Sequence, residues 1–450
     1  MSSRSEISEI PELRGLDSRH SLIRIPPELD VPLTLRVRRI IDTAAFRRLA
    51  KINQLGLVSL VYPAANHTRF EHSLGVYRLA LLFLKQIAND RRFTELLTSR
   101  RAETFIAAAL LHDIGHWAFC HPIEDVNIPG FPKHEQFAEH FLTHGEIADI
   151  LRNDWNIEPQ DVAALINKSG KDAESNLLIS VLSGPVDVDK MDYLFRDSLH
   201  AGVPYGRHFD QGRLIGSLCL NEQGNGLAIA DKGKTAAELM VFARYVMFSE
   251  VYWHHGVRSA TAMLQRAFYL LRERIDCTAC LQMTESQMIE HLLDVSQNTP
   301  SHDLLDRLFG NRRRLYKRVA QYGILEQPEL YRLLAGKPYS YLCQCAENFA
   351  EILNAENVRV AEENGSRPVA PTDLLIDAPP VEKEVEFRID VYYPKERRYR
   401  PLEQVSPVVR ALAKEQFDDY VKRVRIFAIP ELAAQLRNLP HLERFWERSR

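Results

Sequence analysis

At 450 residues, with 45% hydrophobic and 26% charged side chains, the chain has the makeup of a soluble globular protein with room for one large domain and an appendage. A formal net charge of −3 excludes, as a default, a protein that coats DNA or a membrane surface by charge alone. No apolar run approaches the ~20 residues that span a bilayer, and "MSSRSEISEIPELRGLDSRH" has no apolar signal core, so the expected compartment is the cytoplasm.

After an N-terminal extension over 1–30, "LRVRRIIDTAAFRRLAKINQLG" has apolar spacing that predicts a helix closed by Gly56. "EHSLGVYRLALLFLKQIAND" predicts a second helix, "AETFIAAALLHDIGH" a more buried third, and "VDVDKMDYLFRDSLHAG" a fourth ending near Gly202. "GLAIADKGKTAAELM" reads as a strand and a turn at Lys232–Gly233, leading into a helix that continues through "VFARYVMFSEVYWHHGVRSATAMLQRAFYLLRERI". Further helices are expected over 284–296, 302–336 and 340–356. The composition then shifts to a Pro-rich stretch, "EENGSRPVAPTDLLIDAPP", and to strands in "VEFRIDVYY" and "FDDYVKRVRIFAIP". The expected fold is mainly α, a helical domain over 31–360 followed by a small α/β C-terminal subdomain over 361–450.

The chemistry concentrates in "LLHDIGHWAFCH". His112 and Asp113 close an apolar helix, and His116, four residues on, is expected on the same helical face. "HTRFEHSLG" adds His67, Arg69, Glu71 and His72 at a helix start, and "DVDKMDYLFRD" spaces Asp189, Tyr193 and Asp197 by fours. "FPKHEQFAEH" contributes His134, Glu135 and His140. Any one such histidine is ordinarily satisfied by its neighbours, but the set together suits a hydrolytic divalent cation. Imidazole and carboxylate from separate helices supply nitrogen and hard oxygen donors, leaving positions for water and substrate. Cys277–Cys280 and Cys343–Cys345 could in principle form a four-thiolate zinc site, yet reduced, packed thiols are the better reading of six scattered cysteines. No "GxxxxGK[ST]" loop is present, which argues against P-loop chemistry.

The pattern "H…HD…D", with "IIDTAAFRRLAKINQLG", "VYPAANHTRFEHSLGVYRLA", "LLHDIGHWAFCH" and "DVDKMDYLFRD", resembles the HD superfamily of metal-dependent phosphohydrolases. Within it the strings are similar to deoxynucleoside triphosphate triphosphohydrolases related to the sterile-alpha-motif-and-HD-domain protein, over roughly residues 30–330. The resemblance implies an HD-domain helical core with His72, His112, Asp113 and Asp189 holding a divalent ion of Mn, Fe, Co, Ni, Zn or Mg. It implies His134 as general acid for the leaving 5′-oxygen, oriented by Glu135, with Asp189 also counted as catalytic. It assigns Arg69, His116, His121, Lys190 and Tyr193 to the triphosphate, Asp197 to the sugar and phosphates, Gln54 with Leu55 to the sugar 3′-hydroxyl, and His255 to phosphate or sugar.

The family's regulatory nucleotide site is only partly reproduced: Asp42 matches it and Arg313 and Lys317 resemble its basic contributors, but Arg47 and Ala50 depart from it, while Ser259 and Val251 depart from the family's substrate side. The implied partners are a dNTP, an activating nucleotide and further copies of the chain as a dimer or tetramer. Two alternatives stay open: an HD phosphohydrolase acting on another nucleotide, or a single-stranded nucleic-acid binding protein or nuclease using "NRRRLYKR", otherwise a solvated basic helix face.

Overall fold

In the computed structural model, which describes residues 3–362, 365–379, 388–412 and 420–437, threonine caps cut the first helical stretch. The Thr34 side chain accepts from the Val37 amide and that of Thr43 from Phe46, so helices Leu35–Ile41 and Ala44–Arg48 replace the single expected one. The chain divides into two compact units, both mainly helical. The first comprises Met1–Trp117, Pro132–Met247 and Glu386–Lys414; the second comprises Ala118–Phe131, Phe248–Val385 and Glu415–Arg450. Among the described residues no helix is long and apolar enough to cross a membrane.

The first unit is built around α1 (Arg69–Ile87), α2 (Ser99–Leu111), α3 (His134–Thr143), α4 (Val188–His200) and α5 (Lys234–Met247). α1 is apolar nearly all round, the signature of a helix enclosed by others, and it packs against both α2 and α4. Phe83 on α1 and Phe105 on α2 are fully buried, each contributing about 1.5–3 kcal/mol by leaving water. The Asp187 side chain caps α4 by accepting from the Lys190 amide at 2.6 Å, which fixes where that helix begins. A four-stranded sheet completes the unit, in the order Arg398–Pro401, Asp390–Tyr393, Leu227–Ala230, Leu218–Leu220; its central pair is parallel.

The second unit holds α6 (His255–Leu271), α7 (Ser301–Phe309) and α8 (Tyr339–Ala355), with α6 packed on α7. Its antiparallel sheet runs Lys317–Tyr322, Val424–Ala428, Leu374–Asp377. Two expectations are corrected here. The helix expected over 302–336 stops at Phe309, and Lys317–Tyr322 is a strand because it finds a ladder partner in Val424–Ala428, far along the chain. The long helix expected to follow Gly233 breaks at Met247 into a π-helical turn, Phe248–Tyr252, before α6 starts under a cap from the His254 ring. The expected C-terminal strands are found at Asp390–Tyr393 and Val424–Ala428, one in each unit; the start of the first expected strand and of the second lie outside the described residues.

Candidate metal centre

Three helix ends of the first unit converge: the first turn of α1 brings His72, the last residue of α2 hands on to His112 and Asp113, and the first turn of α4 brings Asp189. α2 stops at Leu111, and the chain turns through Ile114 N to Leu111 O (3.0 Å) and His116 N to Asp113 O (3.0 Å). His116 therefore reaches the site through this turn, not along a shared helical face as the spacing predicts, and its Nδ1 lies 3.1 Å from Asp113 Oδ1.

The ring nitrogens can be assigned from their partners. His112 Nδ1 lies 3.0 Å from the Ala109 carbonyl, which can only accept, and His72 Nδ1 lies 2.8 Å from the Asp192 carboxylate, so both rings carry their proton on Nδ1. That turns two lone pairs toward each other, with Nε2 to Nε2 at 3.2 Å. Around them His72 Nε2 is 3.1 Å from Asp189 Oδ1, and His112 Nε2 is 3.3 Å from Asp113 Oδ1 and 3.8 Å from Asp189 Oδ1. Lone pairs and carboxylate oxygens at this spacing repel unless a positive charge lies among them, so the donor set fits a divalent cation. Without a cation the pocket draws a proton instead: burial works against a charged His72 ring, yet hydrogen bonds to Asp189 and Asp192 push it up to about 10, so a bound divalent ion would take the place of the Nε2 proton. Burial likewise opposes the Asp113 charge, but His116, His112 and Arg69 outweigh it and hold that carboxyl well below the usual carboxylate range. Asp189, a third exposed, forms the open side of the cluster.

Cationic and titratable groups line up beside it. Arg69 donates from Nη1 to Asp113 Oδ2 at 2.8 Å, and Lys190 donates to Asp187 Oδ2 at 2.6 Å. The residue missed in the sequence is Arg244 on α5, buried, with its charge acting on both Lys190 and Tyr193. A signal was present: one arginine on a helix face otherwise made of Ala237, Met240, Val241 and Met247. His134 opens α3 with its ring centroid 3.9 Å from that of His116, and its Nδ1 is 3.5 Å from Glu135 Oε2. Burial and the Arg69 charge push His116 below the ordinary imidazole range, against the pull of Asp113. Gly115 makes this packing possible, since a Cβ there would overlap the His134 carbonyl oxygen.

Asp197 lies 2.8 Å from His67 Nε2, and the Gln54 backbone N–H donates to the His67 carbonyl at 2.9 Å, with Leu55 next in the chain; the Gln54 side-chain Oε1 is buried without a partner. His140 is exposed on α3.

The remaining expected residues belong to the second unit or to surfaces. His121 is exposed in the short helix Cys120–Glu124, and His255 opens α6, lining with Lys317, Arg318 and Arg437 a cavity of about 460 Å³. Asp42 is exposed in the first unit, while Arg313 and Lys317 are exposed in the second; Lys317 starts a strand and Arg313 precedes it, so "NRRRLYKR" is not a helix face. Ser259 donates to the Tyr316 carbonyl at 2.8 Å in the second unit's core. None of the six cysteines forms a disulfide, and among the described residues neither cysteine pair joins a group able to hold a metal.

Comparisons with known proteins converge on this region. The HD domain family matches residues 69–197, and the HD associated region matches 209–439. An uncharacterised protein of Methanocaldococcus jannaschii is 31% identical over 420 residues, 92% of this chain and 81% of its own. The deoxynucleoside triphosphate triphosphohydrolase SAMHD1 of Gallus gallus is 29% identical over 332 residues, 66% of this chain but only 53% of its own. A crystal structure of a hypothetical protein from Aquifex aeolicus shares 27% identity at a TM-score of 0.71, covering 92% of this chain and 98% of that one.

Proposed function

The chain belongs to the HD-domain proteins and is a metal-dependent phosphohydrolase, and we propose that it cleaves deoxynucleoside triphosphates at the α-phosphorus to deoxynucleoside and inorganic triphosphate. The observation that carries the substrate is the placement of three cations, Arg69, Lys190 and Arg244, in the same unit as the metal-fitting donor set. A monophosphate has too little charge to need all three; a triphosphate uses them. The 29% identical chicken enzyme, named for this reaction, supports the same class.

His72, His112, Asp113 and Asp189 would hold the cation, which when bound supplies Lewis acidity at phosphorus and acidifies the attacking water. Arg69 spends one donor on Asp113 while its Nε is buried without a partner, leaving it able to bind a phosphate oxygen. Lys190 keeps two of its three donors beyond Asp187, and Arg244 adds a fork beside it. His134, at the start of α3 beside His116, protonates the departing 5′-oxygen, with Glu135 orienting it. Gln54 and Asp197, both held to His67, face the sugar. The same proposal extends to an activating nucleotide and to assembly as a dimer or tetramer.

The test is incubation of metal-loaded protein with each dNTP and rNTP, singly and mixed, with chromatographic separation of products. Deoxynucleoside with intact triphosphate is expected; activity only in mixtures would reveal the activating nucleotide. Release of monophosphate or inorganic phosphate would overturn the proposal in favour of another nucleotide substrate.

A further inference from the structure

Behind the donor set lies a chain of buried ionic contacts that the reaction as described does not use. Asp192 Oδ2, which takes the His72 Nδ1 proton at 2.8 Å, also accepts from Arg196 Nε at 2.8 Å, and Asp192 Oδ1 accepts from Arg196 Nη2 at 2.8 Å. Arg196 is wholly buried and turns its third nitrogen to Glu71 Oε1 at 2.6 Å and to the Pro26 carbonyl at 3.3 Å. Glu71 in turn binds His200 Nε2 at 2.9 Å, and the His200 ring stacks on that of His67 at 4.4 Å, whose Nε2 meets Asp197.

Room has been made for this arrangement, because a Cβ at Gly75 would overlap both Asp192 and Arg196. A buried ion network contributes little net stability over a well-packed apolar core of the same volume. Its worth here is geometric. The bidentate fork leaves Asp192 a single orientation, that orientation fixes the His72 proton on Nδ1, and the fixed ring presents its Nε2 lone pair to His112, Asp113 and Asp189.

We propose that Asp192 and Arg196, balanced by Glu71, are positioning residues that set how tightly the site holds its divalent cation. This rests on the reading of His72 as a ligand. Outer carboxylates of this kind typically carry 10–100-fold in metal affinity, and that is the range expected here.

The experiment titrates metal-free protein with Mn²⁺ against a competing chelator, for the wild type and for Asp192→Asn, Glu71→Gln and His112→Ala. Asp192→Asn keeps the shape and a hydrogen-bond acceptor but loses the charge that Arg196 clamps, so its Mn²⁺ dissociation constant should rise about 10–100-fold. Glu71→Gln, one step further out and able to keep both of its hydrogen bonds as acceptor, should raise it by a smaller factor in the same direction. Melting temperatures of the metal-free proteins separate this role from a structural one: loss of melting temperature with an unchanged Mn²⁺ constant overturns the proposal. If Asp192→Asn fails to fold, Glu71→Gln decides, and an affinity equal to wild type counts against the inference. Wild-type protein that binds no Mn²⁺ would instead remove the metal centre itself; wild-type binding that His112→Ala abolishes but Asp192→Asn leaves within twofold removes only the positioning role.

Discussion

His112 and His134 are both histidines at helix ends, and the contacts of each set different consequences for removing it. His112 has its proton committed to the Ala109 carbonyl and its lone pair aimed at His72, so His112→Ala, like Asp113→Ala, should lose bound metal and hydrolysis together, measured as metal content after dialysis alongside turnover. Retained metal with full activity would count against both as ligands. His134 faces His116 and Glu135, not the donor cluster. His134→Ala should keep the metal and slow turnover by roughly 10²–10⁴-fold, the range of a general acid; an unchanged rate removes it from that role. Arg244→Ala tests the cation that the sequence did not single out. Losing one charge-assisted contact of about 1.5–3 kcal/mol should cut kcat/KM for a triphosphate by roughly 10–150-fold, with metal content unaffected.

Between elements, the decisive distance is the approach of the His112–His116 turn to the start of α3. A Cβ at Gly115 would stand 2.5 Å from the Ala138 amide nitrogen as well as overlapping the His134 carbonyl, so the turn or α3 must shift. Gly115→Ala should therefore lower turnover far more than metal content, since a displacement near 1 Å of a reacting group costs about 10²-fold. Equal turnover in the variant would show that this spacing is not used. Helix boundaries follow the same logic of local chemistry: the Thr43 cap divides what apolar spacing reads as one helix, because a side chain that satisfies the Phe46 amide competes with continuation.

Across the whole molecule the cysteines are distributed over both units, with Cys120, Cys280, Cys343 and Cys345 buried and Cys219 and Cys277 half-buried. Burial pushes the Cys219 thiol up to about 11 and that of Cys280 up to about 12. Burial favours the neutral thiol, so the reactive thiolate is scarce at pH 8 and grows about tenfold per pH unit until those values are reached. Alkylation of native protein at these two positions, followed by mass spectrometry, should be slow at pH 8, accelerate with pH, and become fast in denaturant. Rapid labelling of both at pH 8 in native protein would contradict that burial.

The sequence by itself determined the mainly α class and the family resemblance, and it was that resemblance that implied His72, His112, Asp113 and Asp189 as one set; local spacing only put these donors at helix ends, with binary patterning burying the helices behind them. Only the tertiary structure decided which ring nitrogen each histidine offers, how His116 arrives by a turn, that Arg244 stands beside Lys190, and that Asp192, Arg196 and Glu71 form one buried line. It likewise decided that Lys317–Tyr322 is a strand. The physical reason is common to all of these: each depends on a partner far away in the chain, such as Asp192 for His72 or Val424–Ala428 for the strand, and spacing along one segment carries no information about what another segment will bring to it.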